Sequence, residues 1–140
     1  MGRRMPATDF TILSIHDQLE QVEDGVPLGH ALHILASISP ADTALVRRFI
    51  PRSSARRVTK AKSSDAKLNR AASEKIARLE RIWFRVCSIY QNDTRAAGDF
   101  LLRPHAMLQG RAPIDLVVAG ETATAFLSQV LSTIEFGYAV

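Results

Sequence analysis

The chain has 140 residues, 46% of them apolar, which suits one domain or two small ones sharing a core and is too apolar for wholesale disorder. No apolar run reaches the roughly 18 residues of a membrane span, and Met1 to Phe10 carries Arg3 and Arg4 with no apolar core behind them, unlike a secretory signal. The net charge of +4 is unevenly spread: Arg47 to Arg85 holds 13 Lys and Arg against Asp65, Glu74 and Glu80, while the residues on either side are mildly acidic. That asymmetry points to a polyanion, most simply nucleic acid, against the plainer reading of a solvated basic stretch.

In chain order, residues 1–9 read as a loose tail, and Phe10 to Ile15 as a short apolar strand or helix. His16 to Glu23 reads as a helix stopped by Asp24-Gly25. Pro27 stands where a first helical residue would, and Leu28, Ala31, Leu32, Leu35 and Ile38 then recur at helical spacing over 27–38. Ser39-Pro40-Ala41-Asp42 predicts another helix start, with Ser39 as the cap, followed by Leu45, Val46 and Phe49 on one face. Pro51 ends that helix and begins the next, Arg52 to about Lys60. Two short helices so close together make a helix-turn-helix candidate.

Lys60 to Ala66 is polar and small and reads as a loop. Asn69 is expected to cap a long helix running to about Gln91, with a stripe of Ala72, Ile76, Leu79, Trp83, Val86 and Tyr90 that Ile82 and Ile89 widen. So broad a face is buried against other helices or a second copy of the chain. Asp93 or Thr94 caps a helix to Leu102, which Arg103-Pro104 ends. His105 to Ala112 is a loop, and Pro113 to Val118 a short helix. The last helix, Glu121 to Phe136, packs through Ala123, Phe126, Leu127, Val130, Leu131 and Ile134, with Gly137 just past its end. The fold predicted is all-α, with a helix-turn-helix part at residues 1–66 and a helical part at 67–140.

Catalysis finds little support in these residues. His30 and His33 share a helix face and would make half a metal site, but no Cys, Asp or Glu pattern nearby supplies the rest. His16 and His105 stand alone. Cys87 lies among Val86, Ile89 and Tyr90 and reads as a core thiol. The glycines are scattered as helix stops and form no phosphate loop. The expectation is a non-enzyme with no metal and no cofactor. Arg52, Ser53, Arg56, Arg57 and Lys60 instead fall on the second helix of the helix-turn-helix, where arginine can pair bidentately with guanine in the major groove. Only Ala55 and Val58 anchor that helix. At the other end, Phe136, Tyr138 and Val140 form an apolar tail, which either folds back on its own core or plugs a partner's cleft.

The order of several local elements resembles the toxin-binding domain of Xre/MbcA/ParS-type antitoxins. Leu68-Asn69 with Ser73-Glu74-Lys75-Ile76 and Leu79 is similar to the start of that family's long helix, with Lys75 where arginine is common. Phe100-Leu101-Leu102-Arg103-Pro104-His105 resembles its Trp-Leu-x-x-Pro-Asn element, with phenylalanine and histidine as departures. Leu108 to Leu116 resembles Gly-Gly-Arg-Thr-Pro-Leu-Asp-Leu, and Leu131, Ile134, Glu135 and Gly137 resemble its closing Leu-x-x-Ile-Glu-x-Gly. Ile50 to Arg57 looks like the family's Ser-Pro-Arg-Thr-Leu-Ala-Arg-Arg recognition helix, with Ile50 in place of the serine cap and Ser54 in place of the core leucine. The resemblance implies a cytoplasmic bacterial antitoxin, usually dimeric. It would bind operator DNA through Arg52 to Lys60 and block a RES-domain toxin that consumes NAD or transfers ADP-ribose. The toxin contacts it implies are Arg111 and the tail Phe136, Gly137, Tyr138, Ala139 and Val140. The other reading of the residues is a stand-alone helix-turn-helix regulator whose second half dimerises; a third is a small enzyme using a metal at His30 and His33.

Overall fold

A computed structural model describes residues 19, 22–52 and 66–137, and these are mostly helical, with no β-strand among them. In chain order they form α1 (Leu28–Ile38), α2 (Thr43–Phe49), α3 (Arg70–Ile89), α4 (Thr94–Leu102), a single 3-10 turn (Ala106–Leu108), α5 (Pro113–Ala119) and α6 (Glu121–Glu135). Phe10 to Ile15 and most of the helix expected at His16 to Glu23 lie outside the described residues, though Leu19 and residues 22–24 are helical.

Helix starts follow local chemistry. Asn69 accepts a hydrogen bond from Ala72 N at 2.8 Å, and Asp93 accepts one from Ala96 N at 3.1 Å, so each satisfies an otherwise unpaired N–H of its helix. The cap expected at Ser39 is displaced. Ser39 closes α1, Ala41 takes a left-handed φ of 60°, and Asp42 caps α2 through Leu45 N at 3.0 Å. The turn through Pro40 and Ala41 uses up the residues that a Ser39-capped helix would need, and the acid becomes the cap. Pro27 likewise sits one residue before α1 rather than inside it.

Among the described residues, helix α3 packs against α1, α2, α4, α5 and α6. Its buried side chains Ile76, Leu79, Ile82, Trp83, Val86 and Cys87 lie in one continuous core that runs from Val26 to Leu131. Each large aliphatic removed from water there contributes about 1.5–3 kcal/mol of transfer free energy. Tyr90, expected on the same stripe, is 37% exposed at the helix end and leans on Phe100 at a centroid distance of 5.9 Å. At the crossing of α4 with the end of α1, a Cβ on Gly98 would stand 2.8 Å from the Ile38 carbonyl oxygen, so only glycine lets the two backbones approach this closely.

A backbone pinch ties the start of α1 to the start of α3. Leu28 N donates to Ala66 O at 2.7 Å and Leu68 N to Val26 O at 2.9 Å, while Val26 N donates to the buried Ser73 hydroxyl at 2.9 Å. The segment carrying α2 and the chain beyond it is thereby held at both ends.

One packing expectation is corrected. Phe126 is 49% exposed, because Thr124, Leu127 and Leu131 take the core-facing side of α6 and turn Phe126 outward. None of the helices among the described residues is long and apolar enough to cross a membrane.

Candidate nucleic-acid and partner interfaces

The sequence marks two surfaces for binding, one in each half of the chain. At the first, α2 ends at Phe49, Ile50 is buried, and Pro51 leads to Arg52, which is helical and exposed. Ser53, Arg56, Arg57 and Lys60 lie outside the described residues. Arg47 is exposed, with no hydrogen-bond or ion-pair partner among the described residues. Arg48, its neighbour, reaches across to α5 and pairs with Asp115 at 2.7 Å. Lys75 of α3 donates to the Arg48 carbonyl oxygen at 3.2 Å. Arg47, Lys75, Asn69 and Pro51 line a cleft of about 180 Å³ between the end of α2 and the start of α3.

The basic stretch divides along α3. Its later arginines turn toward the C-terminal helices. Arg78 Nε donates to Val117 O at 3.1 Å, Arg81 pairs with Glu121 at 2.9 Å, and Arg85 reaches Ser128 O, Ser132 Oγ and Glu135. The charge of the stretch from Arg47 to Arg85 is therefore spread over two jobs, and its C-terminal portion joins helices within the fold. Among the described residues of that stretch, Arg47 and Arg52, both before α3, are exposed cations with no hydrogen-bond or ion-pair partner.

The second surface is built around the loop between α4 and α5. His105 stacks on Phe100 at 4.6 Å, with its Nε2 2.9 Å from Phe100 O, and His105 N donates to Arg111 O at 3.1 Å. The expected loop thus contains a 3-10 turn and is pinned at both ends. Gln109 and Gly110 take φ of 58° and 81°. Nothing lies within 4 Å of a Cβ placed on Gly110, so its glycine answers the positive φ and not a close approach within the chain. Asp115 secures the next helix: Oδ2 accepts from Ala112 N at 3.1 Å while Oδ1 meets Arg48. Partial burial raises the Asp115 pKa, but the Arg48 hydrogen bond, the Ala112 N–H and the charges of Arg48 and Arg111 more than offset it, and the net shift is downward.

Arg111 is exposed and makes no side-chain hydrogen bond among the described residues; its positive charge is felt at Asp115. With Leu108, Gln109, Ala119, Ala123 and Phe126 it borders an open groove of about 540 Å³. Beyond α6, Phe136 is 72% exposed and Gly137 takes a φ of 82°. Tyr138, Ala139 and Val140 lie outside the described residues. Of the residues the sequence singled out for binding, Arg111 lies on the groove and Phe136 is exposed past α6; Phe126 and Gln109 on the groove and Arg48 as the partner of Asp115 were not singled out. Asp115 alone carried a signal, as an acid in the first turn of a helix.

Cys87 and His30, two of the residues considered for chemistry, sit in structural surroundings, while His33 is exposed and His16 lies outside the described residues. Cys87 is buried, and burial pushes its thiol pKa up to about 11, so it stays protonated and weakly nucleophilic. His30 Nε2 faces the Glu80 carboxylate of α3, 3.3 Å from Oε2 and 3.4 Å from Oε1. Sequence spacing gave no hint of that acid, which lies 50 positions away. No group of three His, Cys, Asp or Glu side chains among the described residues could hold a metal ion.

Residues 17–81 match the family described as the antitoxin Xre-like helix-turn-helix domain. That span covers α1, α2, the pinch and the first part of α3. The match supports an Xre-type antitoxin or a DNA-binding regulator built on the same domain, a non-enzymatic kind of protein. No curated protein matches the chain.

Proposed function

We propose, with that match as the starting point, that the protein is the antitoxin of a toxin–antitoxin pair, binding its toxin through residues 67–140 and operator DNA through residues 1–66. The single observation that carries the reading is the similarity of residues 17–81 to an antitoxin helix-turn-helix domain. The toxin proposed is a RES-domain protein that consumes NAD or transfers ADP-ribose, and the antitoxin acts as a homodimer. Arg52, Ser53, Arg56, Arg57 and Lys60 enter the major groove, with the arginines reading base edges.

Neutralisation is steric and needs no chemistry from this chain. The tail Phe136 to Val140 fills the mouth of the toxin's active site. Two observations support a partner at this end. Phe136 stands largely in solvent just past α6. Arg111 presents an uncommitted guanidinium beside the half-exposed Phe126, which suits a toxin segment carrying an apolar side chain next to a carboxylate.

Co-expression with the product of the adjacent gene, followed by co-purification, tests the pairing. A stable complex whose toxin is silent is expected. Deleting residues 136–140 should release toxin activity while leaving the fold intact, since Phe136 makes no core contact. A truncated chain that still protects cells fully would remove the tail from the mechanism. The second reading, a stand-alone regulator, draws on the match ending at residue 81, and it predicts DNA binding with no protein co-purifying besides the chain itself.

A further inference from the structure

The cleft between the end of α2 and the start of α3 is occupied by none of the roles described so far. We propose that it is a seat for a phosphate of the DNA backbone, held by Arg47 and Lys75, next to the point where the chain enters the Arg52–Lys60 segment. The inference rests on the DNA-binding part of the proposed function and extends it to residues outside the recognition helix.

Four observations carry it. Among the described residues, the charged side chains lining the cleft are Arg47, Arg48 and Lys75, with no carboxylate beside them. Arg48 is already neutralised, because its guanidinium is turned to Asp115 at 2.7 Å. Arg47 has no partner among the described residues, and Lys75 spends one of its three N–H donors on the Arg48 carbonyl, which orients the ammonium and leaves two donors for a ligand. Finally, a volume of about 180 Å³ has room for several waters at about 30 Å³ each, and so for one phosphate group.

The contrast with Arg78, Arg81 and Arg85 argues against a merely structural role for Arg47, while Lys75 both ties α3 to the end of α2 and keeps donors to spare. Those three side chains end on acceptors of α5 or α6, whereas Arg47 ends on none. Arg70 is partly committed as well, to Glu74 at 3.4 Å. Pro51 lines the same cleft and precedes Arg52 directly, so a phosphate seated there would fix the register of the recognition segment without reading sequence.

A phosphate contact of this kind is sequence-independent and shows in the salt dependence of binding. The experiment uses the full chain and a duplex of arbitrary sequence, with affinity followed between about 50 and 200 mM salt. Arg47→Gln and Lys75→Gln should each reduce the slope of log affinity against log salt, and together by about 0.9, the value for one lost phosphate contact. Arg95→Gln, an exposed arginine on α4 away from the cleft, should leave the slope at the wild-type value. Arg47→Gln removes no hydrogen bond or ion pair among the described residues, so its thermal melt should superpose on the wild type's and the slope reports binding alone. Inorganic phosphate, titrated by amide chemical shifts, should perturb Lys75 only weakly, because a single free ion lacks the neighbouring phosphates that a duplex presents. Saturation by inorganic phosphate at micromolar concentration would replace the DNA backbone by a free phosphate as the ligand and overturn the proposal. Wild-type slopes in both variants would overturn it too and leave DNA binding standing. A wild-type chain that does not bind duplex DNA at all would bring down the DNA-binding reading and this inference together.

Discussion

Arg78, Arg81 and Arg85, on the middle and later turns of α3, each end on an acceptor of α5 or α6, whereas Arg47 and Arg52, at the end of α2 and just beyond, end on none among the described residues. In the sequence these residues form one basic stretch with a common composition. In the fold they split into a set that joins helices and a set that faces outward. The difference is set by what lies opposite. The later turns of α3 run past the backbone carbonyls Val117 O and Ser128 O and the acids Glu121 and Glu135, while among the described residues the acid paired with the end of α2 is Asp115, which Arg48 takes. Net charge over a window therefore overstates what is available to a polyanion, and the useful quantity is the number of cations without an internal partner.

Loss of Arg85 should separate the two sets most sharply. Its guanidinium holds Ser128 O at 3.2 Å, Ser132 Oγ at 3.1 Å and Glu135 at 2.9 Å, and its side chain is 33% exposed. Hydrogen bonds to a charged group are worth more than neutral ones, but solvent screens part of that here. Arg85→Ala is expected to cost about 1–2 kcal/mol in chemical denaturation and to leave the salt slope of DNA binding unchanged. Arg47→Ala should do the reverse, with stability within about 0.5 kcal/mol of wild type. Should Arg85→Ala leave stability intact and flatten the salt slope, the division drawn here would be inverted.

The legibility of these features follows sequence separation. Caps at Asn69 and Asp93, the stop at Gly120 and the core stripe of α3 were readable because each depends on residues three or four apart. The Ser39 cap failed within the same range, since a left-handed Ala41 is not a residue preference that a sequence displays. Arg85 with Ser128, Arg48 with Asp115 and His30 with Glu80 lie 43, 67 and 50 positions apart and become neighbours only once the helices pack. The groove shows the same split. Arg111 was marked by the segment around it, whereas Phe126 sat in a pattern that equally fitted burial and came out on the rim.

Asp115 lies where the two sets come closest, and its removal is expected to have an intermediate effect. Asp115→Asn keeps the shape but loses the charge that Arg48 and Ala112 N share. Its pKa is lowered in the folded protein, so the carboxylate's contribution is present above the unfolded value of about 3.9 and is lost as pH falls through the lower folded value. At neutral pH the variant should lose about 0.5–1 kcal/mol, near the lower end of cap losses because the pair is more than one-third exposed. Once the pH lies below that folded value the two proteins should converge. A gap that persists at acid pH would mean that the geometry of the residue matters here and its charge does not. The variant also frees Arg48 at the edge of the phosphate cleft, so a steeper salt slope on DNA is expected from the same protein.

The smallest effect belongs to Arg81 and Glu121, and it tests whether an internal partner is enough to make an arginine structural. The pair is short, at 2.9 Å, yet the side chains are 40% and 69% exposed. Exposed pairs of this kind contribute between nothing and about 1 kcal/mol, because water competes for both ends and two long side chains must be held still. Glu121 also lies in the first turn of α6, where the helix dipole favours a carboxylate whether or not Arg81 is present. Glu121→Gln should therefore shift stability by less than about 0.5 kcal/mol, and most of that shift should vanish at high salt. A loss above about 1 kcal/mol that survives in salt would place Arg81 beside Arg85 as a true joint between α3 and α6. Within the expected range, Arg81 is an arginine whose contact is geometric more than energetic, and its charge would remain open to an anionic partner at the edge of the groove that Glu121 and Arg111 share.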